Sequence, residues 1–230
     1  MNKIIYILLA FFFLSCNGTK KIQKAAQNPG SVKKLNLRFH RMNEIPPEIG
    51  RLFALEELNL SNNRLKELPD EIGNLTKLNK LILFHNKLES LPASIGNLTE
   101  LKQFSASSNQ LQTLPYEIGN LQKLEKLRLK QNKLIEIPPS IQHLQQLNLF
   151  DLSYNKLQKL PDEIAELRNL EVLYLSNNHL SKLPKEIGSL EKLKFLYIGK
   201  NNLAELPDEL GNLQQLIELE RGMGLYQEDW

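Results

Sequence analysis

One interval of 23 residues separates Tyr174 from Tyr197, Leu149 from Val172, and Val172 from Phe195. Large apolar and aromatic side chains that recur on one rigid face do recognition chemistry: they give up water to a partner and anchor it. Tyr154 stands close to this set in sequence. Lys126, Arg128 and Lys130 alternate along a short segment, which puts them on one side of a strand and suits an acidic partner. Groups for catalysis show no such convergence. The single cysteine, Cys16, excludes an intramolecular disulfide or a thiolate metal site. His40, His85, His143 and His179 are scattered, whereas a metal needs several ligands around one point. No glycine-rich phosphate loop or nucleophile elbow is present. The expectation is a chain that is not an enzyme, with no catalytic residue, no cofactor and no metal.

The interval belongs to a repeat that runs through most of the chain. Blocks begin at Val32, Leu55, Leu78, Leu101, Leu124, Leu147, Leu170 and Leu193, and a truncated ninth begins at Leu216. The common pattern, LxxLxLxxNxLxxLPxxIGNLxx, is plainest in Leu55 to Lys77. A period of this length means a solenoid, in which each unit buries its apolar face only by stacking on its neighbours.

The phases within a block predict local structure. LxxLxL alternates apolar and polar residues, the period of a strand with one buried face. One such strand per block, always in the same direction, stacks as a parallel sheet with neighbours about 4.8 Å apart. Phase nine is asparagine in seven blocks (Asn63, Asn86, Asn109, Asn132, Asn155, Asn178 and Asn201), with His40 in the first. Asparagine there bonds backbone groups as the chain leaves the sheet, and stacking makes a ladder of it. Phase fifteen is proline in all eight full blocks, from Pro46 to Pro207, which rules out an interior strand. The IGNL that follows predicts a short helical turn on the outer face. Gly73, Gly96, Gly119, Gly188 and Gly211 are expected to permit a tight reversal there. Phe104 beside Ala106, where other blocks carry two leucines, reads as volume balancing in the core.

The pattern LPxEIGNLxxLxxLxLxxNxL resembles bacterial surface and secreted leucine-rich-repeat proteins, and the Ras-group and Ras-suppressor-like repeat proteins of eukaryotes. The resemblance covers Val32 to about Glu220. It implies an α/β repeat solenoid, a horseshoe with a parallel sheet on its concave face and short helical or extended segments on its convex face. It also implies protein–protein binding as the activity, while the partner depends on variable surface positions.

Outside the repeats the chain divides further. Ile4 to Leu14 is an apolar run of 11 residues behind a short n-region with Lys3. That run has the shape of a secretory h-region and falls short of the about 20 apolar residues that span a bilayer. The ending Phe13-Leu14-Ser15-Cys16 resembles a bacterial lipobox, which implies cleavage before Cys16 and acylation of it. Residues 1–15 are therefore expected to be a lipoprotein-type signal peptide. Residues 16–31 follow as the lipidated cysteine, a polar tether and a possible N-terminal cap around Ile22 to Ala26. The repeat domain is 32–220, and 221–230, with Met223, Leu225, Tyr226 and Trp230, is the expected C-terminal cap. The expected location is the cell envelope, on the outer membrane or cell surface, with the membrane reached through the N-terminal lipid.

Within the grid of phases three, five and seven, predicted to face out of the concave sheet, the first half is mostly polar. Blocks six to eight bring Leu149, Val172, Phe195, Tyr174 and Tyr197 together, with Tyr154 at the phase-eight rim. By strand spacing the patch measures roughly 10 by 15 Å, which suits a partner-binding site. Strand-favouring residues also pair with one another for stability alone, and that explanation stays open here. A host or envelope protein is the expected partner, with the chain itself a monomer. Polyanionic carbohydrate or envelope glycan is the alternative, through the phase-ten edge of Arg41, Arg64, Lys87, Lys133 and Lys156. A structural or self-assembly role is a third. Acidic residues at phase seventeen balance the basic edge, and a net charge of +3 offers no nucleic-acid footprint.

Overall fold

Nine three-residue strands form where the alternating phases predict them. They are β1 (Lys34–Asn36), β2 (Glu57–Asn59), β3 (Lys80–Ile82), β4 (Gln103–Ser105), β5 (Lys126–Arg128), β6 (Leu149–Asp151), β7 (Val172–Tyr174), β8 (Phe195–Tyr197) and β9 (Glu218–Glu220). In the computed structural model, which describes residues 17–221, they make one parallel sheet in sequence order. Every strand pairs with its equivalent one block on, as Leu58 with Leu81 and Leu173 with Leu196. Cys16, the signal-type segment before it and the expected C-terminal cap with Met223, Leu225, Tyr226 and Trp230 lie outside the described residues. No helix among the described residues is long and apolar enough to cross a membrane.

The core fills from one side of this sheet. In the third block Leu78, Leu81, Leu83, Leu88, Leu91, Ile95 and Leu98 are all buried, and the same phases form one continuous apolar cluster along the solenoid. Phe104 and Ala106 are buried side by side, as the volume-balancing reading requires. Each phase-fifteen proline is extended, φ near −69° and ψ 151° at Pro69, and leads into a 3-10 helix such as Asp70–Asn74.

The asparagine ladder forms and has a direction. Asn132 donates from Nδ2 to the carbonyls of Leu129, in its own block, and Ala106, in the block before. Its Oδ1 accepts the amide of Leu111, also in the block before. Each asparagine thus closes the preceding repeat onto its own. His40 has no preceding repeat to reach, and its Nδ1 lies 2.8 Å from the Arg38 carbonyl oxygen.

The structure corrects three expectations. Gly73, Gly96, Gly119 and Gly188 permit close approach, not reversal, since no glycine among the described residues has a positive φ, while a Cβ on Gly211 would meet nothing. A Cβ on Gly96 would come within 2.6 Å of the Glu117 carbonyl oxygen in the next repeat. Gln142 and Ala165 occupy this phase in the fifth and sixth blocks, so those two junctions already accommodate a Cβ. Second, phase seven is not open surface where it is serine: Ser61, Ser107, Ser153 and Ser176 are buried. Third, the cap expected around Ile22 to Ala26 is longer than that, with the helix present from residue 17 where a polar tether was expected. The helix over 17–25, α1, places Ile22 in the core, and Ala26 just beyond it is buried as well, so this segment caps the first layer.

Candidate functional site

Strand pairing builds the concave surface column by column. In phase three, β6 to β8 align Leu149 with Val172 and Val172 with Phe195; in phase five, Asp151 with Tyr174 and Tyr174 with Tyr197. Within each strand these two residues are half-buried around a fully buried centre. The Tyr174 and Tyr197 rings stack with centroids 4.7 Å apart and planes 6° from parallel. That separation is the strand spacing itself, so the sheet holds the rings in register. The Tyr197 hydroxyl donates to Glu218 Oε2 at 3.3 Å. Burial, reinforced by the Glu218 carboxylate, pushes this hydroxyl up to about 12, so it remains a donor at neutral pH.

Tyr154 stands at the rim, 38% exposed. Its backbone is left-handed, with φ 55°, and Lys130 Nζ lies 5.7 Å from its ring centroid. The left-handed turn recurs at every phase eight: Phe39, Asn62, His85, Ser108, Gln131, Tyr154, Asn177 and Lys200 all have φ between 54° and 62°. Asparagine tolerates that conformation, while a bulky residue there is held by its surroundings. Of the predicted residues, then, Leu149, Val172, Tyr174, Phe195 and Tyr197 share one surface and Tyr154 flanks it.

The basic segment borders this patch. Lys126 and Arg128 flank the buried Leu127 in β5, and Arg128 aligns with Asp151 in β6. Asp151 accepts the Ser153 amide at 3.0 Å and the Ser153 hydroxyl at 2.6 Å. Burial pushes its carboxyl up, against the opposing pull of those bonds and of Lys130 and Arg128. Asn59 makes the same two bonds with Ser61, which identifies Asp151 as a turn-holding residue on the concave face. Sequence reasoning missed that role; a small polar residue at phase five followed by serine at phase seven was the available signal.

The remaining candidates do not converge. His85 tilts against Phe84, with ring centroids 5.8 Å apart, and His143 and His179 lie in other repeats. Among the described residues no three His, Cys, Asp or Glu side chains are grouped to hold a metal ion. The phase-ten edge is broken by Gln110, whose Oε1 accepts from Lys133 Nζ at 2.8 Å.

Comparison with known proteins agrees with this architecture. The family described as leucine-rich repeat region matches residues 15–111 and 146–228, and the Leucine Rich Repeat family matches 123–144. A search of curated proteins finds no match. Among solved structures, a leucine-rich-repeat protein of Leptospira interrogans is 36% identical, over 86% of this chain and 62% of that one, with a TM-score of 0.61. A TDR receptor is 33% identical over 86% of this chain and 36% of its own, with a TM-score of 0.79. The plant peptide hormone receptor RGFR1, solved in complex with RGF2, is 34% identical over 80% of this chain and 31% of its own, with a TM-score of 0.71. This chain spans less than two thirds of the length of each. The repeat, its register and these matches agree: the chain belongs to the leucine-rich-repeat family.

Proposed function

We propose that the chain is a recognition module without enzymatic activity, binding a partner protein through Leu149, Tyr154, Val172, Tyr174, Phe195 and Tyr197. One observation carries this reading. The stacked tyrosines and their apolar neighbours stand on the outward side of a sheet whose core is already filled from the other side. Rigid aromatic side chains held this way suit anchoring, because little freedom is left to lose on binding. The plant relative solved with RGF2 supports a protein ligand for this architecture.

The same reading places the protein in a bacterial cell envelope as a monomer, lipidated on Cys16 and facing outward from the outer membrane. Helix α1 covers residues 17–25 and packs on the first layer, so a lipid on Cys16 would hold the N-terminal end of the solenoid near the bilayer. Mass spectrometry of the membrane-extracted protein is expected to show acylated Cys16, and Cys16→Ser is expected to release the chain from the membrane.

The binding test compares wild type with a Tyr174→Ala/Phe195→Ala/Tyr197→Ala variant of unchanged circular dichroism in capture from host-matrix and envelope extracts. A protein held by the first and lost by the second is the expected result. A ligand retained by both, and released by salt, moves the site to the phase-ten edge and the ligand to a polyanionic glycan. No capture by either favours a structural or self-assembly role.

A further inference from the structure

We infer that the concave face selects a charge-ordered protein segment. Its acidic side chains would lie over Lys126 and Arg128, apolar or aromatic ones over Tyr174, Phe195 and Tyr197, and basic ones over Glu218 and Glu220. This rests on the concave recognition proposed above and adds the sequence chemistry of the partner.

The outward positions of the nine strands carry the argument. Only β5 presents two cations, Lys126 and Arg128, and only β9 presents two carboxylates, Glu218 and Glu220. The strands between them carry the aromatic and aliphatic patch, interrupted only by Asp151. In the first four strands no strand presents two like charges: Lys34 pairs with Glu57 across β1 and β2, and Lys80 is the one further charge. Lys126 and Arg128 form no ion pair among the described residues, and Asp151, in register with Arg128, is held by Ser153. At the far end Glu218 accepts from Tyr197, and Glu220 keeps a buried Oε1 without a hydrogen-bond partner among the described residues, with Lys200 acting on it from the rim. Like charges held side by side repel, and an incoming opposite charge relieves both ends at once.

Geometry sets the length. Four strand intervals separate β5 from β9, about 19 Å at about 4.8 Å each. An extended chain advances about 3.3–3.6 Å per residue, so the acidic and basic groups of the segment stand about five or six residues apart. The backbone groups of β5 to β8 are engaged by a strand on either side, and β9 pairs with β8 along one edge, so the face of the sheet reads side-chain order and not main-chain pairing.

The test uses the full chain and three acetylated, amidated peptides with a common Ser-Leu-Tyr-Leu-Ser centre. One has Asp-Asp before and Lys-Lys after it, one has Asp-Asp at both ends, and one has Lys-Lys at both ends. Calorimetric titration at low salt is expected to show the mixed peptide binding about tenfold more tightly than either other. Lys126→Glu/Arg128→Glu is expected to transfer the preference to the Lys-ended peptide, and Glu218→Lys/Glu220→Lys to the Asp-ended one. Equal affinities, preferences unmoved by both charge swaps, or no binding by any peptide overturn the charge order. The triple alanine patch variant separates the two readings. If wild type binds all three peptides equally and that variant binds none, concave recognition stands and the charge order falls. If the variant binds all three as wild type does, both fall.

Discussion

The concave face from β1 to β4 and the face from β5 to β9 are built on one scaffold and present different chemistry. Behind both lies the same buried leucine lattice and the same asparagine ladder. In front, the first region offers Lys34 paired with Glu57, Asn36, Asn59, Lys80, Ile82, Gln103 and Ser105, a mixed polar surface. The second offers a basic strand, an aromatic patch and an acidic strand. Because inward and outward phases alternate, the outward residues can vary without disturbing what holds the strands. The repeat therefore separates stability from recognition, and the two regions can be probed independently.

The largest effects should fall equally on both regions. Leu81→Ala in β3 and Leu173→Ala in β7 each empty a fully buried site and are expected to cost about 2–5 kcal/mol. Urea denaturation that shows one cost more than twice the other would break the equivalence of the two cores. Next come the convex turns, where the regions differ. Gly96→Ala drives a Cβ toward the Glu117 carbonyl and is expected to cost about 1–3 kcal/mol. Ala165→Gly, at a junction that already holds a Cβ, is expected to change stability by about 1 kcal/mol or less. Equal and large losses would show that the two junctions do not differ in this way.

On the concave side, Tyr174→Ala removes a stacked ring and should lower stability by about 0.5–1.5 kcal/mol while abolishing partner binding. Ile82→Ala, at the same phase in β3, should leave binding unchanged; loss of binding there would extend the site into the first region. The smallest effect concerns Asp151. Burial holds its carboxyl above the ordinary value, so its favourable contribution is full below the unfolded carboxylate pKa and is lost as pH rises through the raised one. Asp151→Asn keeps an Oδ1 acceptor for Ser153, as Asn59 does for Ser61. The variant is expected to be more stable than wild type at neutral pH, with the difference shrinking toward about pH 3. A variant less stable at neutral pH would show that Arg128 and Lys130 outweigh burial.

Much of this was legible in the sequence because stacking copies one pattern at a fixed interval. The period placed every strand, the inward leucines, the asparagine bridges and the alignment of Tyr174 with Tyr197. What escaped depends on contacts between blocks that no single block reveals. Gly73, Gly96, Gly119 and Gly188 are explained by a carbonyl in the next repeat, and the phase-seven serines are buried just past the strand ends. The left-handed phase eight escaped because Phe39, His85 and Tyr154 give no glycine signal there. The tyrosine stack required ring orientations, which spacing alone does not supply.

The backward reach of the asparagines has a consequence for how the repeats depend on one another. Each one supplies partners to the repeat that precedes it: the Asn86 amide caps the Leu60 carbonyl, and its Oδ1 receives the Leu65 amide. A repeat without its successor therefore keeps open acceptors and donors that only the next repeat satisfies. In a quasi-linear array, where folding can begin at any repeat, this makes the junction between two repeats, and not the single repeat, the unit that each asparagine completes.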